Sequence, residues 1–210
     1  MSTARRFALL GITLALFACS GLSKLDYTKL GTRATWQHPD RVIESLGIQS
    51  GDRVADIGAG DGYFVTYLAD AVGPEGKVYA VEVEQEKADV LEKKVRDKGY
   101  SNVVVVLGQF GDPLLPDKSL DLVFLCNTYH HIEDRPDYFS RVHSDLRREG
   151  RVAIIDMKDD LTGILGLFTD EEHWTPLALL VEEMGKAGYR PSSRFDFLPV
   201  QNFVVFEPDS

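Results

Sequence analysis

Two groups of residues in this sequence have the types and spacing needed for chemistry. The first is the run Asp56-Ile57-Gly58-Ala59-Gly60-Asp61-Gly62, followed at once by Tyr63 and, twenty residues after Gly62, by Glu82. Three alternating glycines let a backbone turn tightly and approach a ligand with no Cβ in between. A helix expected directly after them begins with N–H groups that lack partners of their own. A dinucleotide loop is spaced G-x-G-x-x-G, and its third glycine permits close helix–strand packing; that position here holds Tyr63. Asp56, two residues before the first glycine, suits a cationic ligand better than a pyrophosphate. A carboxylate at Glu82 can accept both hydroxyls of a ribose. The second group is Asn127-Thr128-Tyr129-His130-His131. An imidazole with an ordinary pKa of about 6.5 is a natural proton acceptor at neutral pH. His130 and His131 either serve that role or simply begin the next helix.

Such residues need a frame, and the hydrophobic pattern supplies one. Helices are expected over 39–46, 63–72, 85–98, 134–147 and 170–187; strands over 52–57, 77–83, 102–107, 120–126, 150–156, 193–198 and 202–206. Strand–helix alternation with near-continuous apolar strands predicts an α/β, doubly wound, mostly parallel seven-stranded sheet covered on both faces. The last two strands have no helix between them, so they pair as a hairpin and one runs antiparallel to the rest. Ligands in such folds sit at the carboxyl ends of the strands. Both residue groups fall there.

Composition narrows the function. The chain has 210 residues, 23 Lys+Arg against 33 Asp+Glu, and a net charge of −10. Phosphate backbones need several basic contacts, so nucleic acid is a poor partner for this surface. Two cysteines, Cys19 and Cys126, build neither a disulfide framework nor a cysteine-rich zinc site, and no metal site is expected. Cys126 ends an apolar strand and reads as a small buried hydrophobe rather than a nucleophile.

The first 18 residues stand apart. Arg5-Arg6 precede twelve uncharged residues, Phe7 to Ala18, with Cys19 next. A basic start and a short apolar run make a secretory signal, too short to span a bilayer comfortably, which takes about 20 residues. Leu16-Phe17-Ala18-Cys19 resembles a bacterial lipobox, which implies a lipidated Cys19; an uncleaved anchor in the inner membrane is the alternative. The expected organisation is a signal at 1–18, a lipidated cysteine and tether at 19–35, and a folded domain at 36–210, with the protein at the cell envelope facing the periplasm or exterior. Loss of residues 1–18 leaves 21 basic and 33 acidic side chains, a charge of −12.

Residues 36–207 resemble the class I S-adenosylmethionine-dependent methyltransferases. Asp56-x-Gly58-x-Gly60-x-Gly62 resembles their first motif, Glu82 their ribose acid, Gly108-Gln109-Phe110-Gly111-Asp112 the adenine-contacting segment, and Asn127 to His131 the edge of the transfer site. The resemblance implies S-adenosyl-L-methionine as cofactor, contacted by Asp56, Gly58, Ala59, Gly60, Gly62, Tyr63, Glu82, Val83, Phe110, Asp112 and Asn127. It implies His131, ahead of His130, as catalytic, and a small-molecule or lipid-like methyl acceptor. Asp112 is otherwise a turn residue and Phe110 otherwise core. Trp36 and His38 read as packing residues. His143 reads as solvated, His173 as bordering the acceptor side, and the run 157–169, with its apolar stretch 163–168, as either lining the acceptor pocket or touching the membrane. The competing function is a lipid-anchored, non-catalytic binding protein that keeps the fold.

Overall fold

A computed structural model describes residues 32–158 and 174–209. The elements run α1 (Arg33–Gln37), α2 (Pro39–Leu46), β1 (Arg53–Ile57), α3 (Tyr63–Val72), β2 (Lys77–Glu82), α4 (Gln85–Asp97), β3 (Val103–Leu107) and β4 (Leu120–Cys126). A 3₁₀ turn (Tyr129–His131), α5 (Arg135–Asp145), β5 (Leu146–Met157), α6 (Leu177–Lys186), β6 (Tyr189–Phe195) and β7 (Gln201–Pro208) complete the order.

The seven strands form one sheet in the order β3-β2-β1-β4-β5-β7-β6. β1, β2, β3, β4 and β5 pair in parallel, and β7 is antiparallel to both β5 and β6. The expected hairpin is therefore present. Side chains alternate between faces along a strand. Val123 and Leu125 of β4 accordingly pack with Phe139 and Val142 of α5 and Leu180 and Met184 of α6. Leu122 and Phe124 point the other way, onto Val42 of α2, Phe64 and Leu68 of α3, and Leu91 of α4. The strand order reverses between β1 and β4, and the crevice beyond their carboxyl ends is where such sheets bind ligands.

Several boundaries differ from the sequence reading. Arg33, Ala34 and Thr35, read as the end of the tether, are helical. The helix expected over 134–147 stops at Asp145, and the following strand starts at Leu146 rather than Gly150. Leu146 already pairs with Leu120, and the register shifts before Leu122 meets Arg151, so Arg147 to Gly150 form an irregular stretch of strand. β6 spans Tyr189–Phe195 rather than 193–198. It contains Pro191, which the outermost strand tolerates because one edge needs no N–H donors. The last helix begins at Leu177; the expected residues 170–173 lie outside the described residues, as do the signal, Cys19, most of 157–169 and His173.

Candidate active site

β1 delivers the glycine loop to the crevice. Both Gly58 N–H and Ala59 N–H donate to the Val81 carbonyl, at 3.0 and 3.0 Å, which bends the chain across the end of β2. Gly58 has φ +73°, and a Cβ there would lie inside the side chain of Thr128. Gly60 also has positive φ, +56°, but a Cβ there would meet nothing nearer than the Gly58 carbonyl at 3.9 Å. One glycine is thus filled by protein and the other faces open space. Gly62 caps α3, and Tyr63 is its first residue. Ala59 is buried beneath the turn.

Two acids converge on this loop. Glu82, the last residue of β2, is buried, and its carboxylate accepts the Gly60 N–H. Asp56, on β1 directly before the loop, is 3% exposed. Burial pushes Asp56 up to about 7; Arg33 pulls it down, while Glu82 and Asp61 push it further up. The sequence reading missed Arg33. Its guanidinium lies 4.0 Å from the Tyr63 ring centroid, 3.6 Å from Asp61 Oδ1, and donates to Gln37 Oε1. A lone arginine in a five-residue helix carries no motif that marks it.

Val83 follows β2 and is 37% exposed. Phe110 is 78% exposed, so it is not core. It sits in a turn after β3 closed by mutual backbone bonds between Gln109 and Asp112. Asp112 accepts the Leu114 N–H through Oδ1 at 2.8 Å, which is the work of a turn residue.

β4 delivers the second group. Asn127 adopts φ 55°, donates its N–H to the Ile155 carbonyl at 2.8 Å, and accepts from Gln201 Nε2 at 2.7 Å. Gln37 Nε2 donates to Cys126 Sγ at 3.1 Å, and both glutamines are buried. Burial pushes the Cys126 thiol up to about 12, so it is an inert hydrophobe, as expected. Neither Gln37 nor Gln201 was marked by the sequence, because their partner residues lie far away along the chain.

Tyr129, His130 and His131 form the 3₁₀ turn rather than the start of a helix. His130 Nδ1 lies 2.7 Å from Asp156 Oδ1, and its backbone N–H donates to Asp156 Oδ2 at 3.1 Å. Thr175 Oγ1 donates to the same Oδ2 at 2.9 Å. His131 is exposed, its ring centroid 4.0 Å from that of His130. The Asp156 carboxylate thus meets His130, while the sequence reading placed His131 ahead of it. Beneath the turn, Tyr129 Oη donates to Glu183 at 2.8 Å and Arg135 bonds Glu183 at 3.1 Å and the Tyr129 carbonyl at 3.1 Å. A cavity of about 780 Å³ opens beside His130, His131, Arg135 and Glu183. Thr128, two residues before His130, packs on Gly58 of the glycine loop.

Residues 48–185 match the family described as the methyltransferase domain. The chain belongs to that family. A SAM-dependent methyltransferase from Aquifex aeolicus is 25% identical with a TM-score of 0.75, the match covering 87% of this chain and 98% of that one. The methyltransferase-domain fold and its cofactor, S-adenosyl-L-methionine, follow from this membership. Among curated proteins, the demethylmenaquinone methyltransferase of Geobacillus kaustophilus is 28% identical over 115 residues, covering 55% of this chain and 49% of that protein. The protein-L-isoaspartate O-methyltransferase of Ignicoccus hospitalis is 37% identical over 67 residues, 32% of each chain. The chain thus spans half or less of the length of these two curated relatives. The residues of this methyltransferase domain fit the cofactor. Gly60 faces open space at the loop, and Asp56 offers a buried carboxylate to a cation.

Proposed function

We propose that this protein transfers a methyl group from S-adenosylmethionine to a small-molecule acceptor. The observation that supports this most directly is the convergence of Asp56 and Glu82 on the Gly58–Gly62 loop at the point where the strand order reverses. In this reading Glu82 holds the ribose hydroxyls, Asp56 faces the cationic methionine part, and Asn127 and Thr128 border the transfer point. The bound cofactor supplies an electrophilic methyl on sulfur; the protein's task is to hold the two reactants in line and keep water out. The names of the curated relatives, a demethylmenaquinone methyltransferase and an isoaspartate O-methyltransferase, speak for acceptors carrying oxygen functions. Isothermal titration of the protein with S-adenosylmethionine tests the reading. Saturable binding of one equivalent is expected, and no binding would sink it. Binding without transfer to any acceptor would leave the non-catalytic alternative standing.

The same reading carries a pH dependence. Protonated Asp56 is neutral and offers nothing to a cation. Because burial brings this group to about 7, binding of a cationic ligand below that pH must expel its proton. Affinity for S-adenosylmethionine is therefore expected to rise between about pH 5.5 and 7, by up to tenfold per unit at the acid end, then flatten. Asp56→Asn should bind more weakly and lose most of this slope; a slope unchanged in the variant would assign the proton elsewhere.

We also propose that the domain is exported and held at a membrane through lipidated Cys19. The support is the basic start, the apolar run Phe7 to Ala18 and the Leu16-Phe17-Ala18-Cys19 sequence. Cys19→Ser should move the protein from the membrane to the soluble fraction in fractionated cells. A variant that stays with the membrane, with its N-terminus intact, would identify an uncleaved anchor instead.

A further inference from the structure

We infer that the acceptor is a weakly acidic hydroxyl, that His130 takes its proton, and that Asp156 and Thr175 are the residues that position His130. This deepens the methyl-transfer reading and rests on it. Asp156, near the end of β5, is 0% exposed. Oδ1 receives the His130 ring at 2.7 Å, and Oδ2 receives the His130 N–H at 3.1 Å and the Thr175 hydroxyl at 2.9 Å. Thr175 is itself fixed: its N–H donates to the Met157 carbonyl at 3.2 Å, and its carbonyl accepts from Asn202 Nδ2 at 3.2 Å. Asp156 of β5 thus holds the imidazole, and Thr175, itself bonded to β5 and β7, holds Asp156. The backbone N–H and the threonine hydroxyl are enough to anchor the turn; the ring bond does something more. An imidazole that donates from Nδ1 to a carboxylate carries its lone pair on Nε2, and the carboxylate stabilises the imidazolium formed when Nε2 takes a proton.

Such a device is of use to only some acceptors. A carboxylate is already ionised at neutral pH, and a phenolic hydroxyl, with a pKa of about 10, is not. The acceptor O–H bond breaks and its proton passes to His130 Nε2. The acceptor oxygen forms its bond to the methyl carbon as the sulfur–methyl bond breaks. The products are a methyl ether, the thioether of the spent cofactor and an imidazolium, which then returns its proton to solvent. Among the described residues, the charged and titratable groups around the ring include Asp156 of β5, His131 beside it, Arg135 of α5, which reaches the His130 carbonyl at 3.4 Å, and Glu183 of α6, with Glu133 and Asp134 on the cavity rim. A pH profile reads them together.

The test uses the whole chain, S-adenosylmethionine labelled in its methyl group, and three probes: catechol, 4-methylphenol and 4-nitrophenol. Wild type should yield methyl ethers. His130→Gln should lower kcat on 4-methylphenol by about 10²- to 10⁴-fold, with cofactor affinity changed less than twofold. On 4-nitrophenol, whose hydroxyl ionises near neutral pH, the loss should fall below about tenfold, since less proton removal is required. Asp156→Asn should lose activity in the same pattern and displace the pH–rate profile. Thr175→Val, a milder change, should do so to a smaller degree. Long-range ¹H–¹⁵N spectra of the wild type provide a readout independent of turnover: the His130 proton should sit on Nδ1. An Nε2–H tautomer overturns the assignment. So does undiminished transfer by His130→Gln, a product methylated at carbon, or a wild type that binds the cofactor and methylates none of the probes. Failure to bind the cofactor at all would instead defeat the methyl-transfer reading, while the tautomer still judges the histidine–aspartate pair.

Discussion

Titration of Glu82→Ala with S-adenosylmethionine is expected to show affinity reduced by about 10- to 150-fold. Hydrogen bonds to charged groups contribute roughly 1.5–3 kcal/mol, and each 1.4 kcal/mol is a factor of ten. Two effects add at this position. The carboxylate proposed to hold the ribose is lost, and so is the acceptor that holds Gly60 N–H and with it the middle of the loop. Glu82→Gln separates them, because an amide oxygen can still accept the Gly60 N–H while the charge is gone. It should fall between wild type and alanine. Equal affinity in all three proteins would remove the ribose from Glu82. Circular dichroism and thermal unfolding, run beside the titration, should show the variants folded, since the substitution sits at the rim of the crevice rather than in the apolar layers.

The largest loss of stability is expected from Phe124→Ala. Phe124 lies in the middle of β4, is 0% exposed, and meets Phe64 edge-on with ring centroids 5.0 Å apart. The apolar cluster it belongs to draws on three helices, α2, α3 and α4, so no single element can move in to fill the void. A buried Phe→Ala change costs about 3–5 kcal/mol, and the free energy of unfolding in denaturant should fall by that amount. Val90→Ala is the control: Val90 is 67% exposed on α4, and its removal should shift stability by about 0.5 kcal/mol or less. A Phe124→Ala loss under about 1 kcal/mol would mean that this face of the sheet is loosely packed. Because Phe64 is the second residue after the glycine loop, the void should also weaken cofactor binding by loosening the start of α3.

Features written locally were legible in the sequence. The acid near the end of one strand, the alternating glycines and the acid ending the next strand lie within 27 residues, Asp56 to Glu82, and each obeys a rule of spacing. The antiparallel end of the sheet was legible too, because no helix separates the last two strands. What tertiary pairing creates was not legible. Asp156 reaches His130 only because β5 lies beside β4, and nothing near either residue announces that. The choice between His130 and His131 turns on the same point. Neighbours in a 3₁₀ turn project about 120° apart, and the position of β5 decides which of them meets Asp156. Arg147 to Gly150 misled for another reason. A polar run after a helix reads as a turn, yet Leu146 had already joined the sheet beside Leu120. Arg33 and Gln37 were hidden by their place in a segment with no periodicity, although they reach Tyr63 and Cys126.

The short helix α1 has a practical consequence. Arg33 stands beside the Tyr63 ring and acts on the Asp56 charge, while Gln37, one turn later, is bonded to the end of β4. This helix, the first among the described residues, thus borders the crevice at the ends of β1 and β4. A purification tag fused close to residue 32, or a truncation at residue 38, is in chemical terms a substitution at the crevice. It removes or displaces the one cation found to lower the Asp56 pKa among the described residues. Affinities compared between preparations that begin at different residues therefore compare different binding sites, and the starting residue belongs beside pH and salt among the conditions to be matched.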